Sequence, residues 1–224
     1  MRLFAAVLPP RPVLDHLERA LVSVRGGTDP QDSRGALRWT PDHQRHLTLA
    51  FYGEVPDGSL EDLVSALSAV ARTTDPFAVS LRGAGLFDRR TLWIGCAGDT
   101  QALTALTARA VRVGVDLYGR QDSHARSRAH LTVARVAGQA RARDRRSAVR
   151  SARTDASARG GVGAGEQRGG TAEVAAMAHA LALYDGPSWT VSEIAVVSSR
   201  LGAGPSGHPQ HDVRARLPLA LVAG

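Results

Sequence analysis

A mixed α and β fold built from two related halves is what this 224-residue sequence predicts. Runs with the two-residue alternation of strands trade places with runs of helical 3.6-residue spacing. One five-residue motif also occurs twice, as His46-Leu47-Thr48-Leu49-Ala50 and as His130-Leu131-Thr132-Val133-Ala134. With 43% apolar and 22% charged residues, the chain has the composition of an ordinary globular domain.

The elements follow in order. Residues 3–8 form an apolar run that reads as a buried strand, and from Pro12 onward Val13, Leu14, Leu17, Leu21 and Val24 share a helix face. A loop over residues 26–35 leads to a short strand at 36–40 and a longer one at 46–52, closed by Gly53 and Pro56. Leu60, Leu63, Val64, Leu67 and Val70 mark a second helix. Strands at 77–87 and 91–96 are joined by Asp88-Arg89-Arg90, a hairpin turn. Leu103, Leu106, Ala110 and Val111 give a third helix, followed by a strand at 130–136. A helical pattern resumes over 173–184, and strands are expected at 190–198 and 213–219.

Between the last two groups lies a segment of different composition. Residues 137–170 contain eight arginines against Asp144, Asp155 and Glu166, which gives +5 of the chain's net +7. Their only large apolar residues are Val149 and Val162, too few to offset ordering entropy, so a mainly disordered basic insertion is expected, with an Arg-rich helix near 140–153. Such a run either stays solvated or grips a phosphate backbone without sequence preference. Gly160-Gly161-Val162-Gly163-Ala164-Gly165 follows no strand and reads as linker rather than phosphate loop.

All 28 cationic residues are arginine. The absence of lysine excludes a P-loop lysine, a Schiff-base lysine and a lysine-nucleotidylating ligase. Cys96 is the single cysteine, which rules out an intrachain disulfide and a cysteine-rich metal site. The opening apolar run is stopped by Pro9 before it reaches signal-peptide length, and no stretch approaches the roughly 20 apolar residues of a membrane span. A soluble cytoplasmic protein without membrane attachment is expected, as a monomer.

The repeated motif carries the functional reading. For a chain with eight histidines, two chance copies of His-Leu-Thr are on the order of a one-in-a-thousand event. Side chains alternate across a strand, so each copy buries Leu47 and Leu49, or Leu131 and Val133, and presents an imidazole and a hydroxyl on the other face. If the halves pack about a pseudo-two-fold axis, His46 and His130 face each other across a cleft, with Thr48 and Thr132 beside them. In-line displacement at a phosphodiester needs one group to accept a proton from water and another to protonate the leaving oxygen. Imidazoles, with a usual pKa of about 6.5, serve as both, and hydroxyls can hold the phosphate oxygens. No Asp, Glu or Cys cluster accompanies the motifs, so neither metal nor cofactor is expected.

Paired His-x-Thr-x motifs in a chain of this size resemble the 2H phosphoesterase superfamily, in particular the bacterial RNA 2′,3′-cyclic phosphodiesterases, or 2′-5′ RNA ligase-like proteins. The resemblance extends to Arg2-Leu3-Phe4-Ala5-Ala6, Leu37-Arg38-Trp39, Phe51-Tyr52-Gly53-Glu54-Val55, Leu92-Trp93 and Ser199-Arg200-Leu201. It implies an α+β bilobal fold, two pseudo-symmetric lobes with antiparallel sheets around a central catalytic groove. It also implies His46 as general acid, His130 as general base, Thr48 and Thr132 as phosphate-holding hydroxyls, and Arg135 as a phosphate-binding residue. Strict alternation puts Arg135 on the far side from His130, so a bulge or the strand's end must redirect it. The substrate implied is RNA with a 2′,3′-cyclic phosphate end, opened to a 2′-phosphate. The alternatives are an esterase for a small cyclic nucleotide and a non-catalytic RNA-binding module. Where the family has an aromatic residue and Arg-Pro before the second histidine, this chain has Ser127-Arg128-Ala129.

Other residues read as structural. His208 and His211 flank Pro209-Gln210 and are expected as turn residues at the surface rather than metal ligands. Trp39 and Trp93 are expected in the core.

Overall fold

The structure is a computed structural model that describes residues 1–25, 37–56, 58–119, 128–137, 162–204 and 209–220. The order is β1 (Arg2–Val7), α1 (Arg11–Arg25), β2 (Leu37–Trp39), β3 (Leu47–Glu54), α2 (Ser59–Arg72), β4 (Phe77–Phe87), β5 (Thr91–Gly98), α3 (Thr100–Tyr118), β6 (His130–Val136), α4 (Val162–Ala180), β7 (Asp185–Val191), β8 (Glu193–Arg200) and β9 (Gln210–Pro218). The strands form one antiparallel sheet of nine, ordered β7-β4-β5-β6-β3-β1-β8-β9, with β2 also paired to β6.

Two lobes are visible in that order. One consists of β3, β1, β8 and β9, the other of β6, β5, β4, β7 and β2. They meet where β3 and β6 pair at a single position, Leu47 against Leu131. The expected bilobal α+β arrangement is present, with the two sheets fused at that point. Helices α2 and α3 pack on the first lobe, α1 and α4 on the second. Leucines and valines at helical spacing, among them Leu17, Leu21, Leu63, Leu67, Leu103 and Leu106, are fully or almost fully buried against the sheet.

The halves repeat a strand–helix–strand–helix–strand unit. In the first it runs through β1, α1, β3, α2 and β4, in the second through β5, α3, β6, α4 and β8. The third strand of each unit pairs with the first strand of the other, β4 with β5 and β8 with β1.

Three expectations change. The strand expected at 190–198 is two strands broken at Ser192, with β7 on β4 in one lobe and β8 on β1 in the other. Helix α4 begins at Val162, so the last nine residues of the 137–170 segment are helical rather than unstructured. The segment's 138–161 stretch, with its proposed Arg-rich helix, and the 26–35 loop lie outside the described residues. Strand β9 begins at Gln210, three residues earlier than expected.

A buried ion cluster fixes the approach to β3. Glu18 on α1 bonds the guanidinium of Arg25 and, at 2.7 Å, that of Arg45, and both arginines are no more than 5% exposed. Arg25 also lies over the Trp39 ring at 4.0 Å, and Arg45 donates to the Thr40 carbonyl. One carboxylate thus serves two buried cations in front of His46. Glu18→Gln should remove the charge that both buried cations share and cost about 3 kcal/mol, the lower end for a broken buried pair because Glu18 is itself a third exposed. Urea unfolding midpoints of the two proteins measure it.

Candidate active site

The groove lies on the face of the sheet opposite the helices, and backbone irregularities decide what it contains. Between β1 and β3 the register slips so that Ala5 faces Ala50 and Ala6 faces Thr48, which makes Leu49 an extra residue. Between β5 and β6 it slips at the matching place: Leu92 faces Ala134 and Trp93 faces Thr132, with Val133 extra. Both motifs carry the same bulge. Val133 and Ala134 are both fully buried, so alternation resumes out of phase and Arg135 is exposed on the face that bears His130 and Thr132. The redirection that Arg135 required is supplied by this bulge.

The antiparallel register through Leu47 and Leu131 brings His46 level with Thr132 and His130 level with Thr48. The two imidazoles are held alike. His46 Nδ1 is 2.7 Å from the Gln44 carbonyl and His130 Nδ1 is 3.0 Å from the Arg128 carbonyl, in each case the residue two positions upstream. A carbonyl only accepts, so Nδ1 carries the proton in both rings and proton exchange falls to Nε2. Neither the Thr48 nor the Thr132 hydroxyl bonds another group among the described residues.

The surroundings differ between lobes. Beside His46 stand Phe4, with ring centres 4.7 Å apart, and His211, at 5.5 Å in an edge-on contact; Phe4 and His211 are 5.2 Å apart. Beside His130 stand Phe87 at 4.7 Å and Trp93 at 6.3 Å, the latter two rings stacked. A Cβ on Gly85 would lie 2.3 Å from the Trp93 ring, so only glycine lets the indole lie flat across β4. The hairpin below turns through Asp88 and Arg89, both left-handed at φ 51 and 56.

Two structural readings of the sequence are therefore corrected. Trp39 is core, 4% exposed, but Trp93 is half-buried on the groove face. His211 is not a turn residue: it lies on β9 opposite Ser199 and reaches the groove. His208 falls outside the described residues. The His211 position follows from β9 pairing with β8, which local sequence does not encode.

Burial pushes the His46 imidazole down from its usual 6.5 to about 4. The Gln44 carbonyl opposes this, while positive charge on His211, His130 and Arg135 adds to it. His211 is lowered as well, first by burial and then by His43, against the opposing effect of Asp212. Among the described residues, no group of three or more His, Cys, Asp or Glu side chains could hold a metal ion, and no helix is long and apolar enough to cross a membrane. In the unfolded chain His46 takes up a proton near pH 6.5, and in the folded protein only near pH 4. The unfolded state therefore binds more protons in that window, and stability falls as pH drops from about 6.5 to about 4. Replacing His46 by Gln should flatten this dependence, as seen in urea unfolding free energies at pH 7 and pH 4.5.

Comparison with known proteins bears on the family and the fold. The RNA 2′,3′-cyclic phosphodiesterase of Thermus thermophilus is 36% identical over 119 residues, which covers 52% of this chain and 56% of that one. The protein of the same name from Geobacillus stearothermophilus is 35% identical over 80 residues, 36% of this chain and 25% of that one. The chain thus spans between a quarter and about half the length of these relatives. A Thermus thermophilus crystal structure superposes with a TM-score of 0.66 at 25% identity, covering 98% of each chain. LigT of E. coli, at 21% identity and a TM-score of 0.58 over 98% of each chain, shares the fold. A family model matches residues 9–161, and the chain belongs to the 2′-5′ RNA ligase superfamily.

Proposed function

We propose that this protein hydrolyses 2′,3′-cyclic phosphate ends of RNA to 2′-phosphomonoesters by two-histidine acid/base catalysis. The observation that carries this reading is the pair of half-buried imidazoles, each with Nδ1 tied to a carbonyl two residues upstream and each level with the other motif's threonine. The names of the relatives supply the substrate class.

In the reaction, a water oxygen bonds to phosphorus as the bond from phosphorus to O3′ breaks. His130 Nε2 accepts the water proton, and protonated His46 delivers a proton to the departing O3′, the roles that the family resemblance gives them. Thr48 and Thr132 donate to non-bridging oxygens, and Arg135 places its charge beside them. His46 is neutral at pH 7 in the free protein. The bound phosphate anion offsets the repulsion from Arg135 and His130 and favours the imidazolium that the acid role needs.

His46→Ala and His130→Ala should each lose several powers of ten in kcat for a 2′,3′-cyclic nucleotide without unfolding, because the two groups act as a unit. Thr48→Ala and Thr132→Ala should each cost about 10²-fold. A His130 variant with near-normal turnover would remove the proposed base, and tight RNA binding without turnover by the intact protein would favour a binding module. Product identification separates a 2′-phosphate from a 3′-phosphate.

Besides the two Nδ1 protons, the active form holds one proton on the pair's Nε2 atoms, and the reaction uses it from His46. It gains a second proton as His46 titrates, so the acid limb of kcat/KM should fall near pH 4, far below an ordinary histidine. The alkaline limb marks loss of the pair's remaining proton. The profile should be the same in excess EDTA; activity lost to the chelator and restored by a divalent ion would overturn the mechanism.

A further inference from the structure

At the end of the His46 lobe's sheet, away from the histidines, lies a cavity of about 490 Å³ whose lining includes Arg2, Glu54, Ser199, Arg200, Asp212 and Arg214. It draws on β1, β3, β8 and β9, so it is built by the sheet itself. Asp212 is committed to Arg200, at 3.2 Å, and to Gln210. Arg2 and Arg214 have no ion pair among the described residues. Arg2 lies over the Phe51 ring at 4.6 Å, which fixes its charge on the groove side.

The floor between this cavity and the histidines is aromatic. The Phe4 ring touches both His46 and His211, His211 sits opposite Ser199 in the ladder, and Phe51 lies under Arg2. Rings interleaved with arginines along one face are what a single nucleic-acid strand uses, its bases stacking and its phosphates meeting cations. Arg2 stands four residues along β1 from Ala6, the partner of Thr48, or about 13 Å at a strand's rise per residue. That exceeds one phosphate-to-phosphate step, so a mononucleotide held between the histidines leaves the cavity empty.

We infer that this cavity binds a backbone phosphate of the RNA strand upstream of the cyclic end, and that the preceding nucleotides pass over His211 and Phe51, with buried Phe4 supporting His211 from below. The site makes the protein selective for oligonucleotides over mononucleotides. This rests on the proposed hydrolysis of RNA cyclic phosphate ends, and the experiment separates the two.

The test compares wild type with the Arg2→Gln/Arg214→Gln double variant on a 2′,3′-cyclic mononucleotide and on a hexaribonucleotide with the same end. Both substitutions are at strand positions that retain surface exposure, and unchanged mononucleotide turnover certifies the fold. The expected result is a roughly tenfold higher KM for the hexanucleotide at unchanged kcat, with the slope of log kcat/KM against log salt shallower by about 1. Equal KM and equal salt slope for the two proteins would overturn the inference. If wild type turns over neither substrate, the proposed hydrolysis fails. The cavity is then judged by fluorescence anisotropy of the labelled hexanucleotide: weaker binding to the double variant sustains it, and equal binding removes it.

Discussion

Where β3 meets β6 the sheet has one paired position, Leu47 against Leu131, and neither residue has exposed surface. Two fully buried leucines contribute about 1.5–3 kcal/mol each from burial alone. Their larger effect is geometric. The residues on either side of Leu47 are His46 and Thr48, and those on either side of Leu131 are His130 and Thr132. The alternation of a strand thus converts one apolar contact on the helix side into a four-group arrangement on the groove side. The matching bulges at Leu49 and Val133 then turn Phe51 and Arg135 to the same face as the histidines.

The electrostatic character of the groove follows from what surrounds this junction. Many catalytic histidines lean on a carboxylate, which keeps them charged. Here both Nδ1 atoms face neutral carbonyls, and His46 is surrounded by burial, His211, His130 and Arg135, all of which disfavour its protonated form. Burial disfavours charge of either sign, whereas the positive charge that surrounds His46 also favours an anion there. In the proposed mechanism, binding of a phosphodiester and protonation of His46 are therefore coupled, and the charged pair is assembled around substrate.

Much of this was legible in the sequence because it is local. Strand alternation placed His46, Thr48, His130 and Thr132 on one face, and helical spacing marked α1, α2 and α3. The same rule showed that Arg135 needed a bulge, although only the register located it at Val133. What escaped depends on partners far along the chain. His211 gains its place from Ser199, and Trp93 reaches the groove because Gly85 on the neighbouring strand leaves room. The break at Ser192 is not marked by any Gly or Pro between Trp189 and Ser198, since what separates β7 from β8 is the choice of two different lobes. The composition of residues 162–170, rich in glycine, gave no hint that α4 begins at Val162.

The exchange of third strands between the two units sets an order on folding. Strands β4, β5 and β6 lie within 60 residues of one another in the chain, whereas the lobe that holds His46 needs residues 3–6 to find residues 195–198. Contacts of such separation incur a large loop-closure cost and form slowly. During synthesis the His130 strands can associate while β1 and β3 still await β8, so a nascent chain would expose the apolar faces of Leu3, Ala5, Leu47 and Leu49 until residues 193–218 have emerged. A chain truncated before β8 would carry both histidine motifs and still have no groove.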